Sequence, residues 1–341
     1  MLQDITLLIP TYNRHRYLNR ILEYYSGTSI KILIADSSHL PYANYEQFDN
    51  IEYIHLPGEN LPQKIAKTLR RVTTEFVVMC ADDDFLVPEG IIKCIELLKL
   101  NSEFISAQGN CINYYSSPNS EEIIFSAMYD TQLSYQISQN DSFERAEELF
   151  KKYRSLFYSV NYTENLKIVY EETIQINNLY LNEYLSGIVL MMIGKHVELP
   201  VFYQVREYAA TSDDKITDNL DIISNKDEYQ QEYRYCLNYI AEIGSKILGY
   251  PKDFVLNKVK IIFSDFSKSL IWNQTKKSIP FKKKIGKIIA QVPIIGKQII
   301  LKNREIEKKL TLSMVIKDEN DKTNLKKIEN LIKKYAQAIS Q

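Results

Sequence analysis

A chain of 341 residues, 45% of them hydrophobic and 25% charged, is a globular protein with enough length for one large domain or two modest ones. Glycine and proline are sparse, at 10 residues each, which argues against a disordered chain. The net charge of −1 hides an asymmetry, because residues 276–341 hold 17 basic and 6 acidic residues, so we expect a polyanionic partner only for this end.

The sequence shows no sign of export or membrane insertion. The start "MLQDITLLIP" lacks the basic region of a signal peptide, and no apolar run reaches the roughly 18 residues that span a bilayer. The cysteines lack CxxC spacing and are expected to be reduced thiols; they are Cys80, Cys94, Cys111 and Cys236. We therefore expect a cytoplasmic protein.

Strand and helix patterns alternate through the first hundred residues. Apolar runs typical of buried strands are separated by segments with apolar residues at helical spacing, and Pro10 is expected to end the first strand. This alternation predicts an α/β fold, a Rossmann-like mixed sheet flanked by helices. The predicted strands are 5–10, 30–38, 51–56 and 75–81, and the predicted helices are 16–25, 63–72 and 88–100.

The rest of the chain is less regular. Segments 104–115 and 164–175 fit either a strand or a helix, 180–194 fits a helix, and 196–209 fits a strand or a hairpin. From about residue 216 the pattern is helical. We therefore predict a domain over 1–215, with halves of about 1–110 and 111–215, and a helical, basic C-terminal extension over 216–341.

Polar turns follow three of the predicted strands: "PTYNR", "ADSS" and "ADDD". In open α/β sheets, ligands bind outside the carboxyl ends of the strands, so three polar turns at one edge predict a binding site. Three consecutive carboxylates repel one another and are costly to bury, which favours a bound cation at Asp82–Asp84. The alternative is a solvated acidic cap for the helix that starts at Pro88.

The same segments resemble a known family. "ITLLIPTYNRHRYLNRIL", "IKILIADSS" and "FVVMCADDDFLVPEGI" are similar in order and spacing to the nucleotide-sugar half of family 2 glycosyltransferases with the GT-A fold. The resemblance covers about the first 100 residues, or about 215 with the acceptor half. It implies inverting transfer of a sugar from a nucleoside diphosphate sugar to a hydroxyl of a glycan, lipid-linked or protein acceptor, as in surface polysaccharide synthesis.

The resemblance also implies Mn²⁺ or Mg²⁺ at the acidic turn. The family motif ends in two acids before an apolar pair and Pro, which places Asp83 and Asp84 on those acids and Ala81 on the first acid. We expect Asp82 near the ribose, Asp83 as a metal ligand, and Asp84 as a ligand or an orienting group. A hard divalent cation prefers oxygen ligands and neutralises the leaving diphosphate.

The first turn is expected to surround the nucleotide. By resemblance it contributes Pro10, Thr11, Tyr12, Asn13 and Arg14. Tyr12 can lie against the base and Arg14 can pair with phosphate, while core packing for Tyr12 and an N-cap role for Asn13 are the alternatives.

Three further residues have candidate donor contacts. Asp36 is expected to accept from a base N–H, or else to cap its own turn. Lys64, one turn into a helix, is either a phosphate contact or a solvated lysine. Arg206 follows a predicted strand and is expected to hold the diphosphate.

Inverting transfer needs a base for the acceptor hydroxyl. The family's acidic pair at a helix start matches "YLNEYLSGIV", with Glu183 as the base and Asn182 where a first acid is common. Asp213 and Asp214 in "ATSDDK" are the alternative. His196 is either an additional metal ligand or a satisfied loop histidine.

The segment 276–310 combines 11 basic and 2 acidic residues with interspersed Ile, Val and Phe. This mixture favours peripheral contact with the anionic inner face of the cell membrane, with a solvated helical accessory region as the alternative. No nucleic-acid-binding module is recognisable, so no nucleic-acid partner is expected.

A sugar-nucleotide pyrophosphorylase-like enzyme and a non-catalytic nucleotide-sugar-binding protein remain alternative functions.

Overall fold

The computed structural model describes residues 1–43, 45–47, 49–116, 123–128, 135–171, 174–208, 220–278 and 312–337. Within these residues a mixed sheet of ten strands is flanked by helices on both faces. The predicted α/β fold class with a helical C-terminal region is therefore confirmed. Predictions for Asp213, Asp214 and most of 276–310 lie outside the described residues.

The strands are β1 (Ile5–Thr11), β2 (Lys31–Asp36), β3 (Ile51–His55), β4 (Phe76–Met79), β5 (Phe85–Leu86), β6 (Phe104–Ser116), β7 (Ile123–Ala127), β8 (Gln136–Ile137), β9 (Val160–Tyr162) and β10 (Lys195–Glu207). The helices are α1 (His15–Tyr25), α2 (Leu61–Leu69), α3 (Pro88–Leu100), α4 (Ser142–Lys151), α5 (Thr163–Val169), α6 (Leu179–Ile193), α7 (Leu220–Asn225), α8 (Gln230–Leu248), α9 (Lys252–Ser278) and α10 (Glu319–Gln337).

The first half of the sheet is parallel, in the order β3-β2-β1-β4. Strands covered on both faces read as continuous apolar runs, and every residue of β1 is buried. The prediction that Pro10 ends the first strand is wrong, because Pro10 lies within β1 opposite Ala35 and the strand continues to Thr11.

The second half of the sheet mixes parallel and antiparallel pairs. β9 runs antiparallel to both β4 and β6, while β10 runs parallel to β6. Segment 104–115 lies in the strand β6, and residues 196–207 lie in the single long strand β10 rather than in a hairpin. The register between β6 and β10 shifts at several positions, which breaks the alternation that a sequence pattern can detect.

Two hydrophobic cores lie on opposite faces of the sheet. One contains α2, α4, α6, α8 and α9, and the other contains α1, α3 and α10. Ile328, Leu331 and Ile332 of α10 are buried in the second core, and Lys334 pairs with Glu23 of α1 at 2.7 Å. The C-terminal region thus packs on the sheet domain at both faces. No helix among the described residues is long and apolar enough to cross a membrane.

Candidate active site

The three polar turns meet at the carboxyl edge of the parallel strands. The backbone N–H of Asn13 donates to Ser38 Oγ at 2.7 Å, which joins the turns after β1 and β2. The hydroxyl of Thr11 donates to Asp82 at 2.5 Å, which joins the first turn to the acidic turn after β4. The prediction that these turns lie together is confirmed.

The first turn has a backbone conformation that suits its sequence. Asn13 has φ of 53°, in the left-handed region where Asn is better tolerated than most residues. Asn13 is not the N-cap of α1, because Arg14 occupies that position without a side-chain capping bond. The Tyr12 side chain projects outward and is 51% exposed, with its ring edge-on to His39. Tyr12 therefore offers an open aromatic face.

Pro10 and Thr11 lie below the surface of this edge. Both are buried at the end of β1, and the backbone carbonyl of Thr11 accepts from Lys64 Nζ at 2.6 Å. Lys64 also donates to Ser37 Oγ at 3.1 Å. Burial lowers the pKa of Lys64 to about 8, against the raising effect of Asp82 and Asp36. Lys64 is therefore not the solvated helix lysine of the alternative interpretation; it is a buried cation between the first two turns.

Asp36 is enclosed by its own neighbours. Its carboxylate accepts from Ser38 N at 2.8 Å and Tyr53 Oη at 2.8 Å, and His15 Nε2 lies at 2.9 Å. Burial opposes ionisation, but the bonds from Ser38, Tyr53 and His15 hold the pKa of Asp36 below its usual value. Because the side chain has no exposed surface, a base could reach Asp36 only after a neighbour moved. In this structure Asp36 organises the turn, as the alternative interpretation held.

Asp82 and Asp83 share one guanidinium. Arg14 donates to Asp83 at 2.5 Å, and its other terminal nitrogen lies 3.2 Å from Asp82. Burial works against its charge, but Asp82 and Asp83 raise the pKa of Arg14 above its usual value. Burial raises the pKa of Asp82 to about 6, while Arg14 acts in the opposite direction. Asp83 is the acid of this turn that reaches solvent, with 20% of its side chain exposed.

Asp84 points away from solvent into the sheet. It accepts from the Tyr158 hydroxyl and, at 2.8 Å, from the backbone N–H of Glu207. Burial and the charge of Asp83 raise the pKa of Asp84 to about 7. Each carboxylate oxygen thus accepts from a protein donor, which fits the orienting role, one of the two roles predicted for Asp84.

Arg206 and Glu183 come from the second half of the domain. Arg206, near the end of β10, is 3.9 Å from Asp84 and packs over the Tyr158 ring. Burial opposes its charge, but Tyr158 and Asp84 raise the pKa of Arg206. The Glu183 carboxylate accepts from the Tyr153 hydroxyl at 2.7 Å.

The starts of α2 and α6 adjoin, which brings the two halves of the site together. The side-chain amide of Asn60, the N-cap of α2, donates to Asn177 at 3.2 Å, just before the Asn178 N-cap of α6. Lys64 and Glu183 each lie one turn into these helices. Asn182, by contrast, is buried, so it does not act as a partner to Glu183 at the surface.

The structure corrects the prediction for His196. It is fully buried inside β10, with Nδ1 2.8 Å from Ser106 Oγ, and is neither a loop residue nor a metal ligand at the edge. Burial and the charge of Arg154 lower the pKa of His196 to about 3, so the imidazole is neutral.

Sequence reasoning missed three residues that support the acidic turn: Arg20, Tyr158 and Glu207. Arg20 had the periodicity of a solvated residue on α1, and the other two lie in segments without a clear pattern. Among the described residues, no three side chains of His, Cys, Asp or Glu converge as a preformed metal cage. The partly exposed Asp83 carboxylate beside Asp82 nevertheless fits a cation that takes its other ligands from a substrate and water.

No family model and no curated protein matches the chain. Among solved structures it is similar to S. aureus TarS 1-349 in complex with UDP-GlcNAc, over 99% of this chain and 91% of that chain, with 13% identity and a TM-score of 0.47. The structure of S. aureus TarS 1-349 covers 79% of this chain and 91% of that chain, with 11% identity and a TM-score of 0.45. A further structure of S. aureus TarS covers 78% of this chain and 55% of that chain, with 12% identity and a TM-score of 0.43. Similarity at this level concerns the course of the backbone, and function has to be argued from the site.

Proposed function

We propose that the chain is a metal-dependent, inverting glycosyltransferase of the GT-A type that uses a nucleoside diphosphate sugar. The observation behind the proposal is the partly exposed Asp83–Arg14 ion pair at the carboxyl edge of the parallel strands. A donor diphosphate with its cation can replace both halves of this pair, because the cation takes Asp83 and a phosphate takes Arg14. Asp83 would then face the cation in place of Arg14, and Arg14 would face a phosphate in place of Asp83. Neither charged side chain is therefore left unpaired.

The residues fit a divalent cation at Asp83, with Asp82 as the neighbouring oxygen donor. When bound, Mn²⁺ or Mg²⁺ would neutralise charge that develops on the departing diphosphate. Tyr12 supplies a face for the base, and Arg14 and Arg206 supply guanidinium groups for phosphate oxygens. Lys64 adds positive charge beneath the first turn through its bond to Thr11.

Glu183 is the proposed general base for the acceptor hydroxyl. It lies one turn into α6, and its hydrogen bond from Tyr153 fixes the orientation of the carboxylate. The start of α6, which carries Glu183, adjoins the start of α2 through the hydrogen bond from Asn60 to Asn177. A carboxylate that is oriented in this way can accept the proton as the hydroxyl oxygen attacks the sugar.

We further propose that the acceptor is a glycan, a lipid-linked or a protein hydroxyl, and that the enzyme works in the cytoplasm. The basic segment 276–310 would bring it to an anionic membrane surface.

The test is donor binding and turnover. Calorimetry with UDP, GDP, CDP and dTDP, with Mn²⁺ and then with a chelator, should give one preferred nucleotide whose binding requires the metal. A panel of nucleotide sugars that includes UDP-GlcNAc should then release that nucleoside diphosphate. An Asp83→Asn variant should lose the metal-dependent binding, while Glu52→Gln, an exposed acid on β3, serves as the control. Equal binding with chelator, or unchanged binding by Asp83→Asn, would contradict the proposal.

A further inference from the structure

The main chain of the acidic turn is held by a residue from α1. Arg20 is buried, and its Nη2 donates to the backbone carbonyl of Asp83 at 2.6 Å. The Arg20 guanidinium lies over the Tyr17 and Phe85 rings, with centroids at 4.9 and 5.0 Å. These contacts restrict the conformation of the Arg20 side chain. The Asp83 carbonyl therefore accepts from a guanidinium whose position is fixed.

The charge of Arg20 is balanced by Glu207 at the end of β10. The Glu207 carboxylate lies 3.2 Å from Arg20 Nη2 and accepts from the Tyr114 hydroxyl at 2.6 Å. Burial opposes the charge of Arg20, but Tyr114 and Glu207 raise its pKa, so it stays protonated. Because Glu207 neutralises Arg20, the guanidinium can hold Asp83 without adding net repulsion against a nearby cation.

Glu207 also holds the next residue of the turn. Its backbone N–H donates to Asp84 at 2.8 Å, while its side chain holds Arg20. Asp83, Asp84, Glu207 and Arg20 therefore form a closed ring of bonds between the turn, α1 and the end of β10. The Asp83 side chain itself stays outside this ring, where it reaches solvent.

We propose that Arg20 and Glu207 are positioning residues that fix the Asp83 carboxylate for the cation of the donor complex. The inference rests on the proposed function and deepens it. A carboxylate on a mobile turn must be ordered when the cation binds, whereas this ring orders it beforehand. Loss of such supporting groups typically weakens metal binding by about 10–100-fold.

The test measures Mn²⁺ binding by the loss of the free Mn²⁺ electron paramagnetic resonance signal. The probes are Mn²⁺ alone, Mn²⁺ with inorganic pyrophosphate, and Mn²⁺ with the nucleoside diphosphate that the unaltered protein prefers. Arg20→Gln and Glu207→Gln should weaken binding by about 10–100-fold, and Arg20→Lys should recover part of the loss because it keeps the charge and a donor.

Two control variants separate positioning from general destabilisation. Arg16→Gln alters a residue on the same helix that packs on the same Tyr17 ring, at 4.7 Å, and it should bind Mn²⁺ normally. Leu98→Ala lowers the stability of the same core away from the turn and should also bind normally when folded. If Arg20→Gln does not fold, Arg20→Lys and Glu207→Gln decide the question.

The outcomes are distinguishable. If the unaltered protein binds no Mn²⁺ with any probe, the proposed function fails and the inference fails with it. If it binds and the folded Arg20 and Glu207 variants bind equally well, only the positioning role is refuted. A loss shared by Leu98→Ala at matched melting temperature would also refute it, because that loss would follow stability alone.

Discussion

Replacing His196 by Asn should make the protein less sensitive to acid. His196 has no exposed surface, and burial together with Arg154 lowers its pKa to about 3. Asn can keep the hydrogen bond to Ser106, which the histidine makes through Nδ1 at 2.8 Å, but Asn does not titrate. The substitution thus removes one titrating group from the core.

The sign and size follow from the two protonation states. Above the ordinary histidine pKa of about 6.5, both the folded and the unfolded chain hold a neutral imidazole, and stability is at its full value. As the pH falls below that value, His196 binds a proton in the unfolded chain, whereas in the folded chain it stays neutral until about pH 3. The free energy of unfolding therefore decreases. The loss is about 2 kcal/mol between about pH 7 and pH 5, and at most about 5 kcal/mol below about pH 3.

The assay is urea unfolding of both proteins at several pH values. Burial raises the pKa of Asp82 and of Asp84, so these groups favour the folded state as the pH falls from about 7 to about 4. Because both proteins contain Asp82 and Asp84, this effect cancels when the free energies of unfolding of the two proteins are subtracted. The free energy of unfolding should fall by about 2 kcal/mol more for the unaltered protein than for His196→Asn between about pH 7 and pH 5. Parallel pH profiles would refute the reasoning.

Three further outcomes are expected. Glu183→Gln should keep the fold and metal-dependent donor binding but reduce sugar transfer by roughly 10²–10⁴-fold, and a fully active variant would pass the role to Asp213 or Asp214. Tyr12→Ala should weaken nucleoside diphosphate binding by about 1–3 kcal/mol in calorimetry but leave Mn²⁺–pyrophosphate binding unchanged, whereas an equal loss for both probes would argue against base stacking. Ile332→Ala should lower the free energy of unfolding by about 2–5 kcal/mol, because this side chain of α10 is buried, and no loss in urea would contradict that packing.

The parallel half of the fold could be predicted because its signals are local. Apolar runs and helical spacing located the elements of the first hundred residues, and the rule that ligands bind at carboxyl ends brought the three turns together. The second half lacked such signals. β9 has three residues, and the shifts in register along β10 disturb the alternation of side chains. Short strands and bulges leave little pattern in a sequence.

The supports of the site were missed for a different reason. The bond between Arg20 and Glu207 joins residues 187 positions apart, and no spacing rule covers such a pair. Asp36 was placed correctly at the end of β2, but its enclosure depends on His15 and Tyr53 from two other elements. Residue type and position predicted a polar edge, whereas the direction of each carboxylate is set by tertiary contacts.

These directions explain how the fold tolerates three consecutive carboxylates. Asp82 turns inward to Thr11 and Arg14, and Asp84 turns the other way to Tyr158 and the end of β10. Of the three, only Asp83 keeps a partly exposed carboxylate, and its partner is Arg14, which in the proposed donor complex would pair with phosphate instead. The charges of the two buried acids are thus met by protein groups, and Asp83 is the acid at which the proposed cation would add a ligand bond.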